Sequence, residues 1–380
     1  MLGEPDTLDP YGRHASDLTY ALIAPVFPMP YRMLPDGTVE PDLAESIETT
    51  TTGALLTLAE REWSNGRPIT ARDVVASIRR ATPPSGFAAI EAAHVGGLRV
   101  VEMSGRVTDW EATLATAAFV LPRGRLIGGN VSGGPFRFFD YKPGRSIGYE
   151  KNPEAVEAPY LDRVKISFVQ GTDLLIRLLE QGDIDAAAIP SSINLGTRLE
   201  EADITYDSAI GAERLVLEFN SDRVALQTAR AVVAEIDRAK LVGSFIRDEG
   251  ESLGSAPEKM PEHLPVTLSV GSPEGDELLA LIQRGLQIDL EPSVDTIELI
   301  TAPVSTVYGA WLREAPVDAL LIRAIGQVGR GQSIDDRFSF PLASVATFIA
   351  WREEVHGIAV NPSLDGPLWN VDQWWLEPSI

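Results

Sequence analysis

The pattern that most narrows the fold lies between residues 266 and 300: an apolar run at 266–270, a helically spaced segment at 276–286, and a second apolar run at 296–300. Two strands joined through a helix lie parallel in one sheet, because the crossover must climb over the sheet face before it returns. The same alternation runs through most of the chain. Residues 55–60 read as a strand leading into Trp63-Ser64-Asn65-Gly66, an Asn-Gly turn whose glycine suits positive φ. Thr70 is then placed to cap a helix, with Asp73 as its capping-box partner and Val74, Val75 and Ile78 as the apolar face. At 172–181 the pattern returns: Thr172 caps, Leu174, Leu175, Leu178 and Leu179 form the inward stripe, and Gly182 ends the helix. A short strand over 184–189 follows. One amphipathic helix is expected over 228–245, with Ala231, Val232, Ile236 and Leu241 inward. The fold class is α/β, with mixed sheets flanked by helices.

At 380 residues the chain exceeds what one compact core holds, so more than one lobe is expected. Joints rich in Pro and Gly fall at 82–86, 128–135 and 250–265, the last two better placed as boundaries. The run Gly128-Gly129-Asn130-Val131-Ser132-Gly133-Gly134 reads as a flexible crossing between domains. A net charge of −23 argues against nucleic acid, whose phosphates need clustered Lys and Arg, and against a grip on anionic lipid. The longest apolar stretches, such as 115–121, fall far short of a membrane span, so no direct insertion of the mature chain is expected. Residues 1–6 show neither the basic start nor the apolar core of a signal peptide. A cytoplasmic protein and a chain from which a leader was removed both fit.

Little in the sequence suggests chemistry. With no cysteine, disulfides, thiolate metal sites and cysteine nucleophiles are excluded. The four histidines, His14, His94, His263 and His356, show no metal-ligand spacing, so neither a metal nor a cofactor is expected. There is no GxSxG elbow, no phosphate loop of the GxxxxGK[ST] type and no GxGxxG between a strand and a helix. Acidic pairs such as Asp183/Asp185 and Asp335/Asp336 are what chance supplies among 55 acidic residues. An enzyme is not expected.

Several segments, in order, resemble the family 5 extracellular solute-binding proteins, the group that includes dipeptide, oligopeptide and nickel-chelate binders. They are Glu4-Pro-Asp-Thr-Leu-Asp-Pro10, Asp36-Gly-Thr-Val-Glu-Pro-Asp-Leu-Ala-Glu45, and the stretch from Trp63-Ser-Asn-Gly to Ile78. Gly133-Gly-Pro-Phe-Arg-Phe-Phe-Asp-Tyr-Lys-Pro-Gly-Arg-Ser-Ile147, Lys151-Asn-Pro153, Pro159-Tyr-Leu-Asp-Arg-Val164 and Leu179-Glu-Gln-Gly-Asp-Ile-Asp-Ala186 continue the series. Phe219-Asn220, residues 229–238, Phe340-Pro-Leu342, Gly357-Ile-Ala-Val-Asn-Pro362 and Trp369 complete it. The resemblance implies a periplasmic-binding-protein-like fold, two lobes with a hinge, in a three-domain arrangement. Domain I would comprise 1–38, 134–214 and 357–380, domain II 39–133, and a shortened domain III 215–356. It further implies a substrate-binding component of an ABC transporter, extracytoplasmic and lipid-anchored in its precursor. Such a protein takes a small-molecule ligand between the lobes and delivers it to a membrane permease. The alternatives are a cytoplasmic ligand-sensing domain of a transcriptional regulator and, less favoured, a hydrolase on the same scaffold.

Peptide-binding members carry a W-x-x-D-Y-x-D-P-like segment whose acid receives the peptide amino terminus. Here that place is 318–328, where Arg323 or Ala324 falls at the expected Trp and Gln327 near the expected Asp. Loss of a carboxylate and gain of a guanidinium would favour an anionic ligand, such as an opine-like or phosphorylated compound, over an ordinary peptide. A competing role for Arg323 is pairing with nearby acids. The other candidate ligand contacts are Arg13 and His14 after the opening motif, Phe27 and Tyr31 beyond it, and Trp351 and Trp369 in the tail.

Overall fold

Leu264–Pro273 and Val294–Ala302 do pair in parallel, with the helix Glu277–Leu290 between them in sequence. The computed structural model describes residues 4, 5, 7–12, 15, 17–82, 85–125, 131–169, 171–253, 264–303, 306–311, 315–325 and 336–377. The chain divides into two units, Gly3–Val169 with Trp351–Ile380 (unit 1) and Gln170–Ala350 (unit 2).

Unit 2 is built on a mixed sheet in the order Ala186–Pro190, Ser339–Trp351, Thr205–Phe219, Ala319–Ile325, Leu264–Pro273, Val294–Ala302, with Gly250–Ser252 laid antiparallel on Ser339–Trp351. Thr205–Phe219 and Ala319–Ile325 run antiparallel, and Ala319–Ile325 lies parallel to Leu264–Pro273. Side-chain alternation gives this sheet two apolar faces. Leu215, Leu217, Phe219, Leu268, Val270 and Leu321 pack under Leu278, Leu279, Ile282 and Leu286 of the helix Glu277–Leu290. Val216, Leu320 and Ile322 point the other way, into a smaller cluster with Val307, Val317 and Trp311. Inside the helix, Gln283 donates to Val270 O at 2.7 Å and accepts from the Ser272 hydroxyl at 3.0 Å, so its buried amide is satisfied by the strand below.

Three expectations for this unit need correction. Gly171, at φ 95°, is the N-cap of Thr172–Gln181, so Thr172 already lies inside the helix. The buried face is accordingly Thr172, Leu175, Ile176 and Leu179, while Leu174 is exposed; Gly182 at φ 71° does terminate the helix. The single helix expected over 228–245 is broken into Leu226–Ala234 and Arg238–Leu241. Asp237 causes the break: its carboxylate accepts the Lys240 N–H at 3.0 Å and starts a new helix.

Unit 1 carries a four-stranded antiparallel sheet ordered Ala44–Thr49, Gly53–Leu58, Val100–Ser104, Ala92–Val95, and a three-stranded one of Phe136–Lys142, Ser146–Lys151 and Arg163–Ser167. Ala54, Leu56, Leu58, Val101 and Met103 turn inward, and the helix Ala71–Ile78 buries Val74, Val75 and Ile78. Its capping box forms as the spacing predicts, with the Thr70 N–H and hydroxyl both donating to Asp73 Oδ2 at 2.9 Å. The Asn-Gly turn also forms: Gly66 has φ 73° and its N–H donates to Trp63 O at 2.8 Å. A second core joins Phe27, Phe138 and Tyr149, whose hydroxyl donates to Leu22 O at 2.9 Å.

The run at 131–134 is not a flexible crossing. Ser132 is buried and donates to Val26 O at 2.8 Å, and the Gly134 N–H reaches the same carbonyl at 2.9 Å. A Cβ on Gly133 would stand 3.0 Å from the Trp63 ring, and one on Gly134 would stand 2.6 Å from Pro25 O. The glycines are there because backbone and indole pack with no room for a side chain.

Asp42, from the 36–45 motif, holds the entry to the first sheet. Its Oδ2 accepts the Met29 N–H at 2.9 Å and lies 3.4 Å from Arg32 Nε, and its Oδ1 accepts from Arg61 Nη1 at 2.8 Å. Arg61 Nη2 adds a bond to Asp42 O at 2.8 Å. Burial works to raise the carboxyl pKa, but Arg32, Arg61 and these hydrogen bonds overcome it and hold the group below the usual carboxylate range. A lowered folded-state pKa contributes stability that is present above the unfolded value near 4 and lost as pH falls through the folded value. Asp42→Asn is therefore expected to cost about 3 kcal/mol at pH 7, the scale for removing one partner of a buried pair. In urea unfolding curves the gap to wild type should close as pH falls below about 4; a gap that stays constant with pH would contradict this.

Candidate functional site

In unit 2, Leu264–Pro273, Val294–Ala302 and Ala319–Ile325 are parallel, so their carboxyl ends share one edge of the sheet. After Leu264–Pro273 the chain moves to one side, through the helix to Val294–Ala302. Ala319–Ile325 lies on its other side, against Thr205–Phe219. The edge between these two strands is a topological switch point, the place where open α/β sheets take ligands.

A buried ion-pair network occupies that edge. Arg323 Nε donates to Asp276 Oδ2 at 2.5 Å and Nη2 to Asp276 Oδ1 at 3.0 Å, a two-pronged grip that matches guanidinium to carboxylate. Nη1 donates to Glu213 Oε1, and Nη2 also reaches Ser191 O at 2.6 Å. The Arg323 side chain is 12% exposed and that of Glu213 8%. Burial alone would lower the guanidinium pKa, but Asp276 and Glu213 raise it above its ordinary value, so the charge is permanent. Asp276 serves twice, since Oδ1 also accepts the Leu279 N–H at 3.0 Å as N-cap of Glu277–Leu290.

A second guanidinium stands beside the first group. Arg198 donates to Ser192 Oγ at 3.2 Å and to Asp173, and lies 4.0 Å from Glu277 Oε2. The edge thus gathers two guanidiniums and four carboxyl groups around Ser191 and Ser192. Ser191 is 1% exposed, and among the described residues its hydroxyl has no partner.

Of the candidates from sequence that lie among the described residues, only Arg323 falls in this network, and its donors are engaged by acids and a carbonyl of its own unit. Arg13, His14 and Gln327 lie outside the described residues. Phe27 is buried in unit 1, edge-on to Phe138 at 6.4 Å. Tyr31 is buried in the strand Tyr31–Met33, and burial with Glu111 nearby raises its hydroxyl pKa. Trp369 is half-buried and donates its indole N–H to Ala359 O at 2.9 Å; Trp351 ends the strand Ser339–Trp351. Sequence reasoning missed Asp173, Ser191, Ser192, Arg198, Glu213 and Glu277. The usable signal was positional: Asp276 opens a helix directly after a parallel strand, and Ser191-Ser192 follows another strand. Among the described residues no group of three or more His, Asp or Glu is arranged to hold a metal, and no helix is long and apolar enough to cross a membrane.

Removing Arg323 would leave Glu213 and Asp276 facing each other in a dry site. Arg323→Met is expected to lower the unfolding free energy by about 3–5 kcal/mol. Arg323→Lys, a point charge without the fork, should recover only part of that. Denaturant unfolding checks both, and a neutral Arg323→Met would contradict the network's structural weight.

The family description "Bacterial extracellular solute-binding proteins, family 5 Middle" matches residues 38–269. No curated protein matches the chain. Among solved structures, the oligopeptide-binding protein AppA from Bacillus subtilis, in complex with a nonapeptide, is 16% identical with a TM-score of 0.79, covering 100% of this chain and 98% of that one. AgaA from A. tumefaciens R10, in complex with agropinic acid, is 15% identical with a TM-score of 0.81 over 100% and 98% of the two chains. NikZ from Campylobacter jejuni, in complex with Ni(L-His), is 16% identical with a TM-score of 0.79 over 98% of each. At such identities the likenesses establish the fold. The family match spans more than half of the chain, and the chain belongs to the family 5 bacterial extracellular solute-binding proteins.

Proposed function

We propose that this protein is the solute-capturing component of an ABC-type importer, binding a small molecule outside the cytoplasm and passing it unchanged to a membrane permease. The observation that carries the reading is the family match over 38–269. The charged edge of unit 2's sheet supports it, being where a fold of this kind accepts ligands. The three-domain division and a lipid anchor on the precursor belong to the same proposal, on the strength of the family.

Charge shapes the ligand class. An anionic preference would need a guanidinium with donors to spare, and those of Arg323 are engaged by Asp276, Glu213 and Ser191. With two guanidiniums against four carboxyl groups, the edge favours a ligand that brings a positive or neutral polar group, such as a free amine. The known structures of similar fold hold a peptide, an opine and a nickel–histidine complex, and all three classes belong in the first screen.

A thermal-shift panel of peptides, opine-like conjugates, sugars, phosphorylated compounds and metal chelates tests the reading. A ligand at 100 times its Kd stabilises the folded state by about 2.7 kcal/mol, which raises the melting temperature measurably. Amine-bearing compounds are expected to shift the transition and purely anionic ones to leave it in place. A shift from phosphorylated compounds alone would overturn the charge argument. Turnover of a panel compound, abolished by a substitution at the unit 2 edge, would overturn capture itself.

A further inference from the structure

Unit 1 buries a carboxyl group that no side chain among the described residues grips. Asp365 is 2% exposed, no side chain among them hydrogen-bonds its oxygens, and what support its ionised form receives comes from the charge of Arg32 and the Met33 amide. Its position is fixed from elsewhere. The Asp365 N–H donates to Ser363 Oγ at 3.2 Å, the Ser363 N–H to Asn361 Oδ1 at 2.9 Å, and Asn361 Nδ2 to Met33 O at 2.9 Å. Further on, Trp369 O accepts from Arg32 Nη1 at 3.5 Å. Residues 361–372 are thereby seated on the strand Tyr31–Met33, with Asp365 inside the seat.

The charges around that seat give an ionised Asp365 little support. Arg32 faces it from the strand and Asp42 from the turn that follows Val39–Pro41, while Asp372, in the short helix Val371–Gln373, acts on the same Arg32 and Asp42. Arg61 completes the group through Asp42. Asp42 already engages both Arg32 and Arg61, and burial raises the Asp372 carboxyl as well; an ionised Asp365 would be a further carboxylate beside Asp42, with no side chain to donate to it. A carboxylate taken out of water on those terms keeps its proton instead. Burial pushes the Asp365 carboxyl up to about 7, opposed by Arg32 and the Met33 amide and reinforced by Asp42.

We propose that Asp365 is a proton-operated latch: with its proton it lets residues 361–372 seat on Tyr31–Met33, and its ionisation loosens that seat. The sign is opposite to that of Asp42. Below about pH 4 Asp365 is protonated whether the chain is folded or not and costs nothing. As pH rises toward 7 the unfolded chain ionises this group while the folded chain holds the proton, so stability falls. Above the folded value both are ionised and the loss is complete. The latch lies within unit 1 and does not depend on the ligand reading.

The test compares the full chain with Asp365→Asn, which keeps the shape of the protonated acid. Melting temperatures from pH 4.5 to 8.5 should lie closest at the acid end and separate by several more degrees toward the alkaline end, with the variant higher. Hydrogen exchange over 361–372, corrected for the intrinsic rate, should lose protection with rising pH in wild type only. A melting difference that does not change with pH overturns the latch. Should the variant fail to fold, the carboxyl carbon of Asp365 in the wild-type NMR spectrum decides: a titration midpoint near 7 supports the latch, and one below 5 overturns it.

Discussion

A guanidinium shut away from water must be met by acids, and Arg323 is the point at which unit 2 meets that demand. Its partners come from different places in the chain: Asp276 after one strand, Glu213 within another, and Ser191 at the end of a third. Each contact draws a strand end or loop toward one edge of the sheet. Asp276 then extends the constraint into the helix it caps. A pair of this kind adds little net stability over a well-packed apolar alternative, because desolvation offsets most of the attraction. What it does is penalise any arrangement in which one partner is left alone. The switch-point edge of this sheet is therefore a set of mutually dependent charges rather than a row of free side chains.

The same logic operates in unit 1 with a different outcome. Asp42 has two arginines and a backbone amide, so it stays ionised despite its burial. Asp365, close by, is buried with no side-chain donor among the described residues and is pushed the other way. Two aspartates within one cluster are thus held in opposite protonation tendencies by their unequal shares of arginine charge and hydrogen bonds, a general means by which protein environments separate carboxyl groups. Neither behaviour follows from the acidity of the whole chain, which describes its surface.

Local signals were legible wherever a residue's role depends on its immediate neighbours. The Thr70–Asp73 capping box, the Asn65-Gly66 turn, the Gly182 helix stop and the parallel pairing of Leu264–Pro273 with Val294–Ala302 all form as their spacing implies. The series of motifs likewise placed the chain in its family. What was not legible depends on partners distant in sequence. Arg323 looks the same on paper whether it waits for a ligand or meets Glu213, 110 residues away. Gly133-Gly134 suggests flexibility until the Trp63 ring and Pro25 carbonyl are seen against it. Asp237 breaks a helix that apolar spacing would carry through, because its carboxylate offers the Lys240 amide a competing partner.

The central claim is capture without chemistry, and equilibrium dialysis of the native chain against a labelled compound from the thermal screen tests it most directly. The account predicts saturable binding of one molecule per chain, with the compound recovered unchanged after the protein is denatured. Recovery of a converted product would contradict it, as would uptake that rises without saturation.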